Sequence, residues 1–237
     1  MLLDTLKLRS VHFQIRYAPA FELWDEAGAI ARSFSDAWDG LKVDEGQPNR
    51  VTLSKKGLII RTELDNSLIA LDVPETVEMR SRAISGAVSI WRERLKLESF
   101  TRISMRVEYV KTFLSRSGAT EAVRELGLVN WPAQKVFGQD QGSEKDGLDC
   151  SLRFEDAFAF TVLRTRTESV IMDYEIHPDF AVDDSKVHKE LHRMVLDFDR
   201  GTAQPMKAND FSSDEWLKGY FHLLRRDLPK VILASKT

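Results

Sequence analysis

The chain has 237 residues, 43% of them hydrophobic and 30% charged, with 34 basic side chains against 37 acidic ones and a formal net charge of −3. That length can bury a sizeable core without disulfide staples, and the near-neutral balance argues against a general polyanion binder while leaving room for a local basic patch. A single cysteine, Cys150, excludes an intrachain disulfide, no apolar run has the length of a membrane span, and Asp4 interrupts the place where a signal peptide carries its apolar core, so a cytoplasmic protein is expected.

Residues 8–17 alternate apolar and polar and predict a strand that Pro19 ends. Phe21, Leu23, Trp24, Ala27, Ile30, Ala31, Phe34, Ala37 and Trp38 recur at helical spacing, so residues 21–39 read as an amphipathic helix that stops at Gly40. After a loop at 46–49, three short strands follow over 50–54, 58–64 and 67–73. Their turns are Lys55-Lys56-Gly57 and Asp65-Asn66, the latter read as residues that accept positive φ. Pro74 closes the third strand. A helix over 76–97 carries Val77, Ile84, Val88, Trp91 and Leu95 on one face, with Gly86 inside it at some cost in helix stability.

The second half begins with a strand over 101–113 and a short helix over 118–127. Residues 130–147 form the one long irregular stretch, read as an excursion whose Trp131-Pro132 pair is a candidate interface anchor. Strands are expected over 148–154, 157–166 and 170–176, with a turn near Thr167-Glu168-Ser169 and Pro178 closing the last. Cys150 lies in the alternation of Leu148, Leu152 and Phe154 and reads as a small buried strand residue rather than a nucleophile. Val187, Leu191, Met194, Val195 and Phe198 predict a helix over 184–199 with Asp183 or Asp184 as its cap. A last helix is expected over 213–226, opened by the acidic turn Asp214-Glu215, with the tail from Leu228 as a short strand or docked extension.

The two halves match. Val11, Phe13, Ile15, Tyr17 and Phe21 correspond at one constant offset to Ile103, Met105, Val107, Tyr109 and Phe113. Each half then reads β-α-β-β-β-α, so the expected fold is α+β, an internally duplicated unit that forms a mostly antiparallel curved sheet with helices on one face. Residues 1–100 make the first unit. Residues 101–237 make the second plus a C-terminal helix, and the two join in one continuous domain.

Alternation then assigns the other sheet face. It carries His12, Gln14 and Arg16 from the first strand, Arg102, Ser104, Arg106 and Glu108 from its counterpart, Ser151 and Arg153 from the strand over 148–154, and Asp173 and Glu175 near the acidic side. A solvated face of an open antiparallel sheet reads this way. So does a partner surface, because arginine is enriched in binding patches and recognises phosphate and carboxylate. The candidate binding residues are Arg16, Arg102, Arg106, Arg153 and Trp131.

Patterns for other chemistry are sparse. The 12 glycines are scattered and form no phosphate loop, no dinucleotide fingerprint and no nucleophile elbow. His188 and His192 stand four apart on the expected helix, a spacing that can chelate one ion with His177 or Asp173 nearby, but Lys189 stands where a zinc protease carries its glutamate. No cofactor is implied.

Val11-His12-Phe13-Gln14-Ile15-Arg16-Tyr17-Ala18-Pro19 and Arg102-Ile103-Ser104-Met105-Arg106-Val107-Glu108-Tyr109 resemble the paired strands of a sporadically distributed bacterial family of similar length. Its members carry an early xFxIRF-like strand and a later RIxxRYxN-like one. The Asn after the second Tyr is absent here, and Val110-Lys111 stands instead. The resemblance implies a bacterial origin and brings no activity. The element order alone resembles the duplicated fold of the TATA-binding protein.

The expected function is therefore that of a non-enzymatic binding or adaptor protein. It would engage a protein partner or a second copy through the arginine-bearing face or the 130–147 loop, without membrane association. A nucleic-acid-binding protein is the alternative, and a metal-dependent hydrolase around His188, His192 and Asp173 is the second alternative.

Overall fold

The computed structural model describes residues 6–72, 77–126, 150–174 and 187–234. In chain order the elements are β1 (Lys7–Arg16), α1 (Glu22–Ala37), β2 (Lys42–Gln47), β3 (Arg50–Lys55), β4 (Leu58–Glu63), β5 (Asn66–Asp72), α2 (Val77–Arg94), β6 (Ser99–Phe100), β7 (Arg102–Phe113), α3 (Arg116–Glu125), β8 (Cys150–Glu155), β9 (Ala159–Tyr174), β10 (Val187–Thr202), β11 (Met206–Lys207) and α4 (Ser213–Ala234). Nine strands form one open antiparallel sheet in the order β2-β3-β4-β5-β1-β7-β10-β9-β8. The fold is α+β, with the helices packed on the sheet.

The alternation in β1 decides which face is covered. Val11, Phe13 and Ile15 are fully buried, as are Ile103, Met105 and Val107 of β7, which lie beside them in register. Leu23, Ile30 and Phe34 of α1, Ile84 and Trp91 of α2, Val123 of α3 and Leu217, Tyr220 and Leu224 of α4 complete the same core. Each such side chain contributes about 1.5–3 kcal/mol when withdrawn from water. Two polar tips fix the helices on the sheet. The Trp91 indole donates to Thr62 Oγ1 at 2.8 Å, and the Tyr220 hydroxyl donates to the Phe198 carbonyl at 2.6 Å. Gly86 has a packing reason: a Cβ there would sit 3.3 Å from the Trp38 ring, where α1 ends against α2.

The strand order places β1 and β7 side by side at the centre, with β5 outside β1 and β10 outside β7. This order is not by itself a demonstration of internal duplication. The matched tyrosines both serve packing. Tyr17 is buried and its hydroxyl is 2.7 Å from the Glu63 carbonyl and from Ser67 Oγ, and Tyr109 packs against the core.

Four expectations are corrected. Residues 187–202 form a strand, not a helix, because β10 pairs along its length with both β7 and β9. The turn near 167–169 does not exist, since β9 runs unbroken through it against β10. Residues 42–47 form an edge strand beside β3 in place of part of a loop. The C-terminal tail continues α4 to Ala234. At the Asp65-Asn66 turn neither residue adopts positive φ; of the turns named from sequence, Gly57 is the one that does. Trp131 and the 130–147 stretch lie outside the described residues, as do Glu175, His177, Pro178, Asp183 and Asp184.

Candidate functional site

The sheet face away from the helices carries the interleaved residues. Register sets His12 opposite Arg106, Gln14 opposite Ser104 and Arg16 opposite Arg102 across β1 and β7. It sets Glu108 opposite Asp197 and Arg106 opposite Asp199 across β7 and β10, and Asp197 opposite Arg164 across β10 and β9. Two different arrangements result, one toward the middle of the strands and one at their end.

In the middle, arginines close around two buried carboxylates. The Asp197 side chain is 0% exposed and accepts from Arg106 Nη2 at 2.7 Å and Arg164 Nη1 at 3.4 Å. Glu108 accepts from Arg106 Nη2 at 2.8 Å and Arg166 Nη2 at 3.1 Å. Arg9 extends the cluster to Glu168 at 2.6 Å, and Arg193 approaches the same carboxylate at 3.7 Å. Burial pushes the Glu108 carboxyl up, but the hydrogen bond from Arg166 and the charges of Arg106, Arg166 and Arg9 outweigh it and hold Glu108 below the usual carboxylate range. Asp199 goes the other way, raised chiefly by burial and then by the Asp197 charge. Buried carboxylates are tolerated because several charge-assisted hydrogen bonds replace water. This cluster holds the strands together, and Arg106 belongs to it.

Beside it, His12 Nε2 lies 3.2 Å from Ser10 Oγ, which in turn donates to Glu108 at 3.4 Å. In a hydrolytic triad the acid orients the imidazole and the imidazole activates the serine. Here the acid bonds the serine, so the order is wrong for that chemistry. Burial, the largest influence, lowers the His12 pKa, and the Arg106 charge lowers it further.

The end of the same face differs. Arg16 and Arg102 are cross-strand neighbours, and among the described residues no ion pair joins either guanidinium to a carboxylate. Arg102 Nε is buried without a hydrogen-bond partner, a feature it shares with Arg106 Nε, Arg193 Nε and Asp197 Oδ1 of the middle cluster, so the missing ion pair is what sets this end apart. Burial, then the charges of Arg16 and Arg153, lower the Arg102 pKa against the opposing pull of Asp199. The Arg102 guanidinium stacks on the Phe160 ring at 4.2 Å from its centroid, and Arg153 approaches the same ring at 5.6 Å. That ring lies over Gly201, where a Cβ would come within 2.5 Å of it. Arg153 also pairs with Glu155 at 3.0 Å on the exposed edge strand.

The structure thus brings Arg16, Arg102 and Arg153 to one end of the face and diverts Arg106 into the buried cluster. Sequence reading missed Phe160 and Gly201, which organise that end, Asp197, which with Glu108 neutralises Arg106, and Arg164 and Arg166, which share those two carboxylates. The period-2 spacing of Arg164, Arg166 and Glu168 was the available signal.

Metal chemistry loses its footing with the helix that would have supported it. His188 and His192 lie on β10, where four residues span about 13 Å. His192 Nδ1 instead lies 2.9 Å from Ser169 Oγ on the neighbouring strand. Among the described residues no three His, Cys, Asp or Glu side chains come together as a metal-binding group. No helix among them is long and apolar enough to cross a membrane. No protein-family model and no curated protein matches the chain.

Proposed function

We propose that this is a non-catalytic binding or adaptor protein of the cytoplasm that engages a macromolecular partner through the Arg16–Arg102–Arg153 end of the open sheet face. The observation that carries the reading is the Arg16–Arg102 register pair. Like charges directly opposite on neighbouring strands cost stability, and Arg102 is partly desolvated besides. Among the described residues the pair has no ion-pair partner, only the Phe160 contact and the longer-range pull of Asp199 to offset it, which supports reading it as a place for an acidic group of a partner. The arginines around Glu108 and Asp197, by contrast, are accounted for by the fold.

A nucleic-acid partner would use the same arginines on phosphate. Glu155 and Asp199 lie near them, and the whole chain carries a net charge of −3, which weighs against a run of phosphates. Charge reversal tests the proposal. Arg16→Glu with Arg102→Glu should keep the folded circular-dichroism spectrum and abolish partner capture from the native host. Undiminished capture overturns the proposal. Salt separates the alternatives, since phosphate-driven binding weakens steeply as ionic strength rises.

A further inference from the structure

We infer that the element recognised at this end of the face is an extended peptide segment that sets carboxylates on alternate residues followed by one apolar side chain. The inference rests on the reading of Arg16 and Arg102 as a binding pair.

Arg102 is prepared for two-point recognition. Its guanidinium lies over the Phe160 ring at 4.2 Å from the centroid, a contact that restrains the side chain, and a guanidinium fork matches a carboxylate through parallel N–H donors. Arg16 offers a second cation one strand away.

An apolar anchor stands in line with them. Phe158 is 79% exposed in the turn between β8 and β9. That turn is held by Asp156 Oδ1, which accepts from the Phe158 and Ala159 amides, both at 2.8 Å. The Ala203 amide donates to the Phe158 carbonyl at 2.9 Å, just past the end of β10, so Phe158 lies across β10 from the start of β7, where Arg102 stands. From Arg16 on β1 to Phe158 is three strand spacings, about 14 Å, and an extended chain covers about 13 Å in four residues. A segment of the pattern Asp-x-Asp-x-Leu matches that overall span, and the long arginine side chains take up the difference between its equal steps of about 7 Å and the unequal strand steps, one from Arg16 to Arg102 and two from Arg102 to Phe158.

The charge balance favours a peptide over a nucleic acid. The unpaired surplus amounts to the Arg16–Arg102 pair, while Arg153 is paired with Glu155. Two carboxylates match that surplus, whereas a phosphate run would also meet Glu155 and Asp199. Phe160 is 7% exposed beneath Arg102 and offers no stacking platform to a base.

Fluorescence anisotropy on the full chain tests this with three labelled probes: the peptide Gly-Asp-Ser-Asp-Ser-Leu-Gly, the same peptide with Asn for both Asp, and a twelve-nucleotide oligothymidylate. The acidic peptide should bind about tenfold or more tightly than its Asn version. Arg102→Ala should remove that advantage, Arg102→Lys should keep only part of it, Phe158→Ser should weaken binding several-fold, and Arg225→Ala on α4 should change nothing. Equal binding of the two peptides, or binding that survives Arg102→Ala, overturns the inference. Oligothymidylate bound through Arg102 with no peptide bound overturns the peptide class and leaves the binding face standing. If no probe binds and the double charge reversal leaves partner capture intact, both readings fall; if that reversal still abolishes capture, only the peptide inference falls.

Discussion

Arg16 and Arg102 face each other across the two central strands without a carboxylate between them. Arg16 is exposed and Arg102 is half-buried. Arg16→Thr replaces one member with a good strand former, removes the like-charge contact and leaves the Arg102–Phe160 stack in place. Stability should rise by about 0.2–1 kcal/mol in urea unfolding while partner binding weakens. A loss of stability would show that Arg16 contributes to the fold.

Asp197 is the inverse case, a carboxylate with no exposure and with arginine donors converging on it. Asp197→Asn keeps the shape and removes the charge. It should cost about 2–3 kcal/mol, less than a fully buried pair because the guanidiniums stay partly hydrated. Breaking the exposed Arg153–Glu155 pair by Glu155→Gln should leave unfolding unchanged. Equal effects of the two substitutions would contradict the division of the face into a structural middle and a binding end.

Glu108 sets a pH dependence whose sign follows from its lowered pKa. A carboxyl lower in the folded state than in the unfolded one contributes stability above its ordinary value of about 4.3, and that contribution is lost as pH falls through the lower folded value. Asp199 is raised and opposes it, its charged form costing stability until acid neutralises it. Denaturation followed between pH 6 and pH 3 should show the acid-side loss of the native protein reduced in Glu108→Gln and enlarged in Asp199→Asn.

Gly201 permits the Phe160 ring to lie on the backbone. A Cβ there would meet that ring at 2.5 Å and the Ile103 carbonyl oxygen at 2.9 Å. Gly201→Ala should therefore destabilise by about 1–3 kcal/mol. Combined with Phe160→Ala, the two losses should be less than additive, a coupling that a double-mutant cycle in urea measures.

Strands β1 and β7 were legible because Val11 to Tyr17 and Ile103 to Tyr109 alternate cleanly, and the face bearing Arg16, Arg102 and Arg153 followed from that alternation. Strand β10 was not. Val187, Leu191, Met194, Val195 and Phe198 fit helical spacing, while Met194, Leu196 and Phe198 also alternate, and local periodicity has no means of choosing. The choice comes from long-range register, with β7 on one side and β9 on the other. The same misreading hid the fate of Arg106, since its partner Asp197 lies on that strand. Strand β2 carried no alternation to read: it is a mostly exposed edge, paired on one side only and broken in register between Val43 and Glu45. The stacking of Arg102 on Phe160 joins residues far apart in the chain, on strands separated by β10, and depends on a glycine of that intervening strand, so no local pattern announces it.

The most direct measurement is a nuclear magnetic resonance titration of the isotopically labelled full chain with the acidic peptide, following backbone amides and arginine Nε–H signals together. Shifts should concentrate at Arg16, Arg102, Phe158 and Gly201, with the Arg102 Nε–H signal moving most and Arg106 and Arg164 little affected. Shifts confined to the helix-covered side, or centred on Arg106 and Asp197 with Arg16 and Arg102 silent, would contradict the assignment of binding to the end of the sheet face.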